Sequence, residues 1–296
     1  MDIITDMGKQ ETHPIKKIAV LAHPSIESAT DEAAQMADYL STQGVTAIHG
    51  HLNDYDLRQQ VVDEGFDLVI TLGGDGTVLR AAHLCAPSKI PILPVNMGSL
   101  GFLIELDPED WPGCADRLLA GDFWIEKRMM LHTAVWRGDV CEAEFDVLND
   151  TVIARGEYLR PVHLRASLDG QAVTTYVADA LVVSTPTGST AYALASGGPI
   201  LPPELQNILL VPVAPHLSID RAIVLAKGST VSVTVLSDHN AVVSGDGQTP
   251  LHLEIGDRVE VKASEYDTRL VRFEETGYFY KNLVSLMDQN PSAGDN

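Results

Sequence analysis

Residues 66–82 have the sequence FDLVITLGGDGTVLRAA. The first seven residues form an apolar run rich in β-branched side chains, which predicts a buried strand. Gly73, Gly74 and Gly76 then surround one carboxylate, Asp75, and good helix formers follow. A strand, a glycine turn and a helix start together predict a phosphate site, because glycines let the backbone approach an anion and a helix N-terminus favours negative charge.

Asp75 indicates a more specific function for this turn. A carboxylate opposes simple anion binding, so we expect it to accept a proton, orient a hydroxyl group or hold a metal ion beside phosphates. Thr77 can cap the helix that follows. The alternative is an ordinary tight turn, since the stretch is neither a Walker loop nor a G-x-G-x-x-G fingerprint.

The composition indicates a globular protein. The chain has 296 residues, 45% of them hydrophobic, which suits two modest domains or one large one. It has no run of about 20 apolar residues and no secretory signal, so we expect neither a membrane span nor export. Cys85, Cys114 and Cys141 include no C-x-x-C pair. They fit reduced thiols in a cytoplasmic protein and argue against a zinc ribbon or a disulfide framework.

The charge of the chain narrows its partners. Asp and Glu number 41 against 20 Lys and Arg, which gives a net charge of −21. Such a chain repels nucleic acids and anionic membranes unless it carries a local basic patch. The densest basic groups are only the pairs Lys16-Lys17 and Lys127-Arg128. We therefore expect small-molecule partners, with no nucleic acid and no membrane.

Residues 15–124 are predicted to form an α/β domain with a Rossmann-like parallel sheet. Apolar strands alternate with segments of helical spacing, and this order favours parallel strands covered by helices. The predicted strands are 15–24, 45–51, 66–72 and 90–96, and the predicted helices are 30–42 and 108–119, with 57–64 a short helix or loop. Ligands bind at the carboxyl ends of such strands, where Asp75 lies. A second glycine-punctuated turn, 97–103, can form another wall of the same cleft.

Residues 125–275 are predicted to form a β-rich domain of two packed sheets. Turns such as Asp169-Gly170 separate its short strands. The predicted strands are 130–136, 145–154, 162–167, 181–184, 208–213, 222–225, 231–236, 241–244, 258–262 and 269–273. Residues 1–14 are expected to be a flexible tail, and residues 276–296 a C-terminal helix, over 278–287, with a polar tail.

Two features interrupt the pattern of the β-rich region. The segment 184–192, STPTGSTAY, follows an apolar strand and places five hydroxyl side chains before Tyr192. Hydroxyls and backbone amides at a strand end suit a nucleotide, and Tyr192 offers a face for a ring. Asn149 and Asp150 form a polar pair in apolar surroundings, which is costly unless the pair is bonded or needed. The ordinary alternatives are a Ser/Thr-rich loop and a strand end.

Taken together, these motifs resemble those of the bacterial NAD kinase family. The matching segments are 73–77, 96–103, 149–150, 185–192 and 246–248, in the family's order and spacing across roughly residues 15–285. The run TPTGSTAY is the most specific of them. The run GGDGT is also found in lipid kinases similar to diacylglycerol and sphingosine kinases.

The resemblance implies an enzyme whose site lies between the two domains. It would transfer the γ-phosphoryl group of ATP to the 2′-hydroxyl of the adenosine ribose of NAD and give NADP. Asp75 would accept the proton of that hydroxyl beside Gly76, and the turn at Gly73 and Gly74 would face phosphates.

The resemblance also implies which residues bind the dinucleotide. Asn149 and Asp150 would hold the adenosine half of NAD, and Asp179 would line the pocket. The other candidates are Arg80, Arg160, Thr190, Ala191, Tyr192, Ala193, Leu194, Ala195 and Gln248. Relatives often have Glu in place of Asp150 and serine in place of Ala195.

Phosphoryl transfer explains why such residues are needed. A ribose hydroxyl is a poor nucleophile, so the reaction needs positioning, a metal ion on the phosphates and a nearby carboxylate. No cluster of His and carboxylates predicts a dedicated metal cage, so Mg²⁺ is expected to arrive with ATP. A homo-oligomer is expected, because relatives are usually dimers or tetramers. Two alternatives remain open: a lipid kinase of the same superfamily, and a non-catalytic dinucleotide sensor.

Overall fold

The structure is a computed structural model that describes residues 15–98, 101–157, 159–216, 219–274, 279–280 and 283. These residues form two compact units. The first unit takes the described residues of 15–81, 90–126 and 270–274, and the second takes 82–89, 127–269 and the described residues after 278. The predicted tail at 1–14 and most of the predicted helix at 278–287 lie outside the described residues.

Parallel strands and covering helices build the first unit. Its strands are β1 (Lys17–Ala22), β2 (Thr46–His51), β3 (Leu68–Gly73) and β4 (Ile92–Asn96). Its helices are α1 (Glu27–Thr42), α2 (Tyr55–Asp63), α3 (Asp75–Cys85, whose last residues belong to the second unit) and α4 (Trp111–Leu119). The strand order is β2-β1-β3-β4, and every one of these pairs is parallel. The predicted parallel α/β sheet is therefore confirmed.

The sequence pattern of the first unit follows from what each element buries. Every residue of β3 and β4 is buried, which is why these strands appear as continuous apolar runs rather than alternating ones. Helix α1 buries Ala29, Ala33, Met36, Ala37 and Leu40, a stripe at helical spacing that packs into the core with the strands. Gly44 has a φ of 82°, so glycine provides the left-handed residue just after α1.

Antiparallel strands build the second unit. They are β5 (Trp124–Arg137), β6 (Val140–Val147), β7 (Asp150–Arg155), β8 (Val162–Leu168), β9 (Gln171–Ala178), β10 (Ala180–Ser184), β11 (Asn207–Val213), β12 (Ile223–Ala226), β13 (Val231–Val235), β14 (Ala241–Gly245), β15 (Leu251–Leu253) and β16 (Arg258–Arg272). Strands β5 and β16 each have residues in both units. The predicted β-rich region is confirmed.

The second unit has two sheets and a core between them. One sheet has the order β12-β11-β10-β7-β14-β15, and the other pairs β16, β13, β8 and β9, with β5 and β6 attached. Strands β13 and β14 alternate buried and half-buried residues, as expected for strands with one face on a core. Every residue of β10 is buried, because the short helix α5 (Tyr192–Ala195) covers its other face.

Some predicted strands differ from the observed ones. The predicted strand 145–154 is two strands, β6 and β7, because the amides at the break donate to a side chain instead of to a ladder. The segments 258–262 and 269–273 belong to the single strand β16, whose polar middle hid its continuity. Strand β9 was not predicted, because it lies at a sheet edge and half of its residues are exposed. None of the helices in the described ranges is both long and apolar enough to cross a membrane.

Candidate active site

Asp75 is the first residue of α3, directly after the glycine turn that ends β3. The carboxylate therefore lies at a helix N-terminus, where the helix dipole favours negative charge. Gly73 is required here, since a Cβ at this position would clash with Thr77 Oγ1. Thr77 lies inside the first helical turn, and its hydroxyl has no hydrogen-bond partner among the described residues. The predicted capping role of Thr77 is therefore wrong.

The second glycine-punctuated turn holds the Asp75 carboxylate. The backbone N–H of Phe102 donates to Asp75 Oδ2 at 2.9 Å, and that of Leu103 donates to Oδ1 at 3.1 Å. Gly101 makes this approach possible, because a Cβ there would collide with the same carboxylate. Residues 101–103 thus lie against Asp75, and the amides of Phe102 and Leu103 fix the direction of its carboxylate oxygens.

Arg272 supports that turn from inside the first unit. This side chain is fully buried, and its Nη1 donates to the carbonyl oxygen of Leu103 at 2.9 Å. Its Nε donates to Glu126 Oε2 at 2.8 Å, so the buried cation has a carboxylate partner. Leu103, whose N–H binds Asp75, is therefore tied through its carbonyl group to a buried ion pair. No local sequence pattern predicts this role, since Arg272 lies 169 residues after Leu103.

Two other candidate ligand-binding residues of the first unit, Gly76 and Arg80, are exposed on α3. Five residues along an α-helix correspond to roughly 140° around its axis, so Arg80 projects in a direction different from that of Asp75.

In the second unit, Asn149 and Asp150 belong to a corner, residues 148–150, that joins β6 to β7. Asp246, in the turn between β14 and β15, accepts the backbone N–H groups of Leu148 (2.8 Å), Asn149 (2.8 Å) and Asp150 (3.1 Å). The side chain of Asp246 is only 1% exposed. Its residue has a φ of 48°, which an Asp-Gly turn tolerates. The motif at 246–248 was noticed from the sequence, but this role of Asp246 was not predicted.

The side chain of Asp150 is buried without a partner. Asp150 is 5% exposed, and its carboxylate has no hydrogen bond or ion pair with any residue that the structure describes. Burial, and secondly the negative charge of Asp246, raise the pKa of Asp150 to about 7. A buried polar group of this kind is rare unless a ligand or water completes its bonding.

We expect Asp150→Asn to remove a pH dependence of stability. Because the pKa of Asp150 is about 7 in the folded chain against an ordinary value of 3.8, the folded state holds this proton more tightly. Its stabilising effect is complete below about pH 4 and is lost as the pH rises through about 7. Between pH 5 and 8 the melting temperature of the wild type should fall about 2–5 °C further than that of Asp150→Asn.

Thermal unfolding without ligands, followed by circular dichroism, measures this difference. Asp238→Asn is the control for the loss of one carboxylate, because the Asp238 side chain is 98% exposed. Parallel pH curves for the wild type and Asp150→Asn would contradict the raised pKa.

The hydroxyl-rich segment 184–190 mainly builds its own turn. Thr185 Oγ1 donates to the carbonyl oxygen of Leu148 at 2.6 Å, and Ser184 Oγ donates to that of Asn149 at 3.1 Å. Ser189 Oγ donates to the carbonyl of Pro186. Most of these hydroxyls are therefore used by the protein itself. Their effect is to hold the corner, so the structure brings 148–150 and 184–190 together.

The residues after this segment present a mixed surface. Thr190 Oγ1 donates to the carbonyl oxygen of Thr187 at 3.0 Å. Tyr192 is 44% exposed, whereas Ala193 is fully buried in the small core under α5. Ala191 and Leu194 are half-buried, and Ala195 is exposed.

The remaining candidates lie in different parts of the second unit. Asp179 Oδ1 accepts from Arg155 Nε at 3.0 Å, so this carboxylate already has a protein partner. Arg160 is exposed in the loop between β7 and β8. Gln248 is exposed in the turn that carries Asp246, and its side-chain amide lies 3.1 Å from His83 Nδ1.

Family models match both parts of the chain. The model of the ATP-NAD kinase N-terminal domain matches residues 15–123, and that of the ATP-NAD kinase C-terminal domain matches residues 148–273. Together they cover well over half of the 296 residues.

Curated relatives match over nearly their full length. The chain is 38% identical over 274 residues to the NAD kinase of Chloroflexus aurantiacus, covering 92% of this chain and 99% of that one. It is 37% identical over 282 residues to the NAD kinase of Dehalococcoides mccartyi, covering 95% and 99%. It is 39% identical over 271 residues to the NAD kinase of Heliobacterium modesticaldum, covering 88% and 95%.

Two solved structures share the fold. Yeast NADH kinase complexed with NADH matches with a TM-score of 0.83 and 23% identity, covering 94% of this chain and 89% of that one. An NAD kinase from Archaeoglobus fulgidus in complex with ATP matches with a TM-score of 0.71 and 23% identity, covering 91% and 97%.

The fold, the carboxylate at the glycine turn and these matches define a kinase that transfers phosphate to a hydroxyl group. The chain belongs to the NAD kinase family. The earlier resemblance is confirmed.

Proposed function

We propose that this protein transfers the γ-phosphoryl group of ATP to the 2′-hydroxyl of the adenosine ribose of NAD, giving NADP. The observation that carries the proposal is the geometry of Asp75. Its carboxylate oxygens accept the backbone N–H groups of Phe102 and Leu103. These bonds fix the direction of the carboxylate at the start of α3, beside the turn proposed to face phosphates, where it is suited to take the proton of a substrate hydroxyl.

The reaction follows from this geometry in three linked changes. The ribose oxygen forms a bond to the γ-phosphorus, the bond from that phosphorus to the bridging oxygen breaks, and ADP leaves. The proton of the hydroxyl passes to Asp75. Amides of the turn at Gly73, Gly74 and Gly76 would face phosphate oxygens at the start of α3. In this proposal Asp75 takes the proton of the ribose hydroxyl, and the amides of the turn bind the phosphates.

Magnesium enters as part of the MgATP substrate in this proposal. In the described part of the chain, no group of three or more His, Cys, Asp or Glu side chains is arranged to hold a metal ion. A divalent cation on the phosphates would neutralise the charge that develops during transfer.

We assign most of the dinucleotide contacts to residues of the second unit. The buried carboxylate of Asp150 lacks a partner, and a ribose hydroxyl or an adenine amino group would supply one. Asn149 lies next to it in the same corner, and Tyr192 has an exposed ring. The further proposed contacts are Asp179, Thr190, Ala191, Ala193, Leu194, Ala195, Gln248, Arg80 and Arg160.

A turnover assay tests the proposed function. Purified protein with MgATP and NAD should form NADP, and GTP, polyphosphate and NADH should be tried as alternative donors and acceptor. If the protein phosphorylates diacylglycerol or sphingosine but does not phosphorylate NAD, the result would favour the lipid kinase. Dinucleotide binding without turnover with any donor would favour the sensor.

Tyr192→Ala should weaken NAD binding by about tenfold to a hundredfold, because ring stacking is worth roughly 1–3 kcal/mol. ATP binding should change less, since its phosphates are assigned to the turn at 73–76. Tyr192 is 44% exposed, so the melting temperature should stay nearly unchanged. Isothermal calorimetry and thermal unfolding measure the two effects.

The control for this variant is Tyr55→Ala, which removes a ring that is 76% exposed. Tyr55 is not among the residues assigned to ligand binding. Tyr55→Ala should leave NAD affinity unchanged. A Tyr192→Ala protein that melts early but binds NAD normally would remove Tyr192 from the binding residues.

We also propose a cytoplasmic homo-oligomer, on the strength of the family resemblance and of three cysteines of which none forms a disulfide bond among the described residues. Sedimentation velocity at several protein concentrations tests the oligomeric state.

A further inference from the structure

His83 contacts the carboxylate that organises the corner at 148–150. This residue lies in the last turn of α3, and its side chain is 20% exposed. Its Nε2 lies 2.7 Å from Asp246 Oδ2, and its Nδ1 lies 3.1 Å from the side-chain nitrogen of Gln248. His83, Asp246 and Gln248 all belong to the second unit.

The carboxylate of Asp246 accepts four hydrogen bonds. Oδ2 accepts from His83 Nε2 and from the Leu148 amide, and Oδ1 accepts from the Asn149 and Asp150 amides. Four N–H donors therefore fill the lone-pair sites of one carboxylate. The imidazole donates from Nε2 to Asp246, and its Nδ1 faces the side-chain nitrogen of Gln248.

Asp246 is tied to the corner in a second way. Its own backbone N–H donates to the carbonyl oxygen of Asp150 at 3.0 Å. Three amides and one carbonyl of the corner thus depend on a single residue, and His83 is the side-chain donor that fixes the orientation of its carboxylate. No role in the reaction follows for His83 from the sequence motifs, because it lies outside all of them.

We propose that His83 is a positioning residue for the dinucleotide. By donating to Asp246 it holds the corner, and the corner directs the Asn149 amide and the Asp150 carboxylate toward the adenosine half of NAD. This inference rests on the proposed function, because the corner matters for turnover only if it binds the acceptor. Without the imidazole, a buried carboxylate loses one of its four donors, and the three amides lose a fixed acceptor.

Two variants at this position separate the donor from the ring. His83→Leu keeps the bulk and removes the N–H group, whereas His83→Gln keeps an N–H donor near the same place. His83→Leu should raise the KM for NAD about tenfold, as expected for a lost hydrogen bond to a charged group. The kcat and the KM for ATP should change by less than about threefold, and His83→Gln should restore most of the KM.

Amide hydrogen exchange reports on the corner directly. In His83→Leu, the amides of residues 148–150 should exchange roughly tenfold faster without ligand, because the carboxylate that accepts them is less ordered. His252→Leu is the matched control, since His252 is exposed on β15 of the same unit. It should change neither the KM for NAD nor the exchange of these amides.

Several results would overturn the inference. A His83→Leu enzyme with an unchanged KM for NAD would do so even if its melting temperature fell, since a purely structural residue behaves in that way. An equal rise in KM for the Leu and Gln variants would exclude the donor role. A wild type that forms no NADP would instead reject the proposed function, and exchange at 148–150 would then still decide whether His83 holds the corner.

Discussion

Asp75→Asn is expected to lower turnover by about 10²–10⁴-fold, the usual contribution of general acid–base catalysis. The substitution keeps the shape of the side chain and removes its ability to take the proton of the ribose hydroxyl. Dissociation constants for NAD and ATP should change by only a few-fold. Steady-state kinetics and calorimetry on one preparation measure both quantities.

The structure adds one detail to this expectation. Asparagine has a single acceptor oxygen, so it can accept from Phe102 or from Leu103 but not from both in the present geometry. Asp139→Asn, at an exposed position between β5 and β6, is the control for loss of one negative charge. Near-normal turnover of Asp75→Asn would exclude Asp75 as the proton acceptor.

Gly101→Ala is expected to lower turnover by roughly 10²-fold while the protein stays folded. The Cβ of the alanine would collide with the Asp75 carboxylate and displace it. A misplacement of about 1 Å at a reacting group can cost two orders of magnitude.

A double-mutant cycle identifies the cause of that loss. In an Asp75→Ala background the colliding carboxylate is absent, so Gly101→Ala should cost little further activity. Gly113→Ala is the control, because a Cβ at this exposed helical position meets nothing within 4 Å. It should leave turnover unchanged and stabilise the protein slightly. If Gly101→Ala lowered turnover by the same factor in both backgrounds, its effect would not come from the collision with the Asp75 carboxylate.

The sequence was informative wherever local chemistry determines structure. Residues 68–72 are buried on both faces of the sheet, so the apolar composition of the run identified β3 and, with the glycines after it, the start of α3. Gly44 marked the end of α1 for a similar local reason, since a left-handed residue is needed there. The fold class could be predicted because such signals repeat along the chain.

The sequence was less informative wherever a side chain bonds to a distant backbone group. The split of 145–154 depends on Asp246, which lies 97 residues after Asn149 in the chain. The hydroxyls of 184–190 were interpreted as ligand groups, yet Ser184 and Thr185 donate to the corner's carbonyl oxygens. His83 and Arg272 were missed for the same reason, because their partners are far away in sequence. The assignment of ligand contacts stays a prediction.

The last residues of β16 determine when the first unit can be completed during synthesis. Leu270 of β16 pairs with Ile92 of β4, Val271 packs in the core of the first unit, and Arg272 neutralises the buried Glu126. A nascent chain that ends before these residues leaves β4 as an open sheet edge and a buried carboxylate without its cation. Contacts this distant in sequence form slowly, and an unpaired edge exposes an intermediate to aggregation. The first unit is therefore synthesised first, but its sheet cannot be completed until residues 270–272 of β16 have been synthesised.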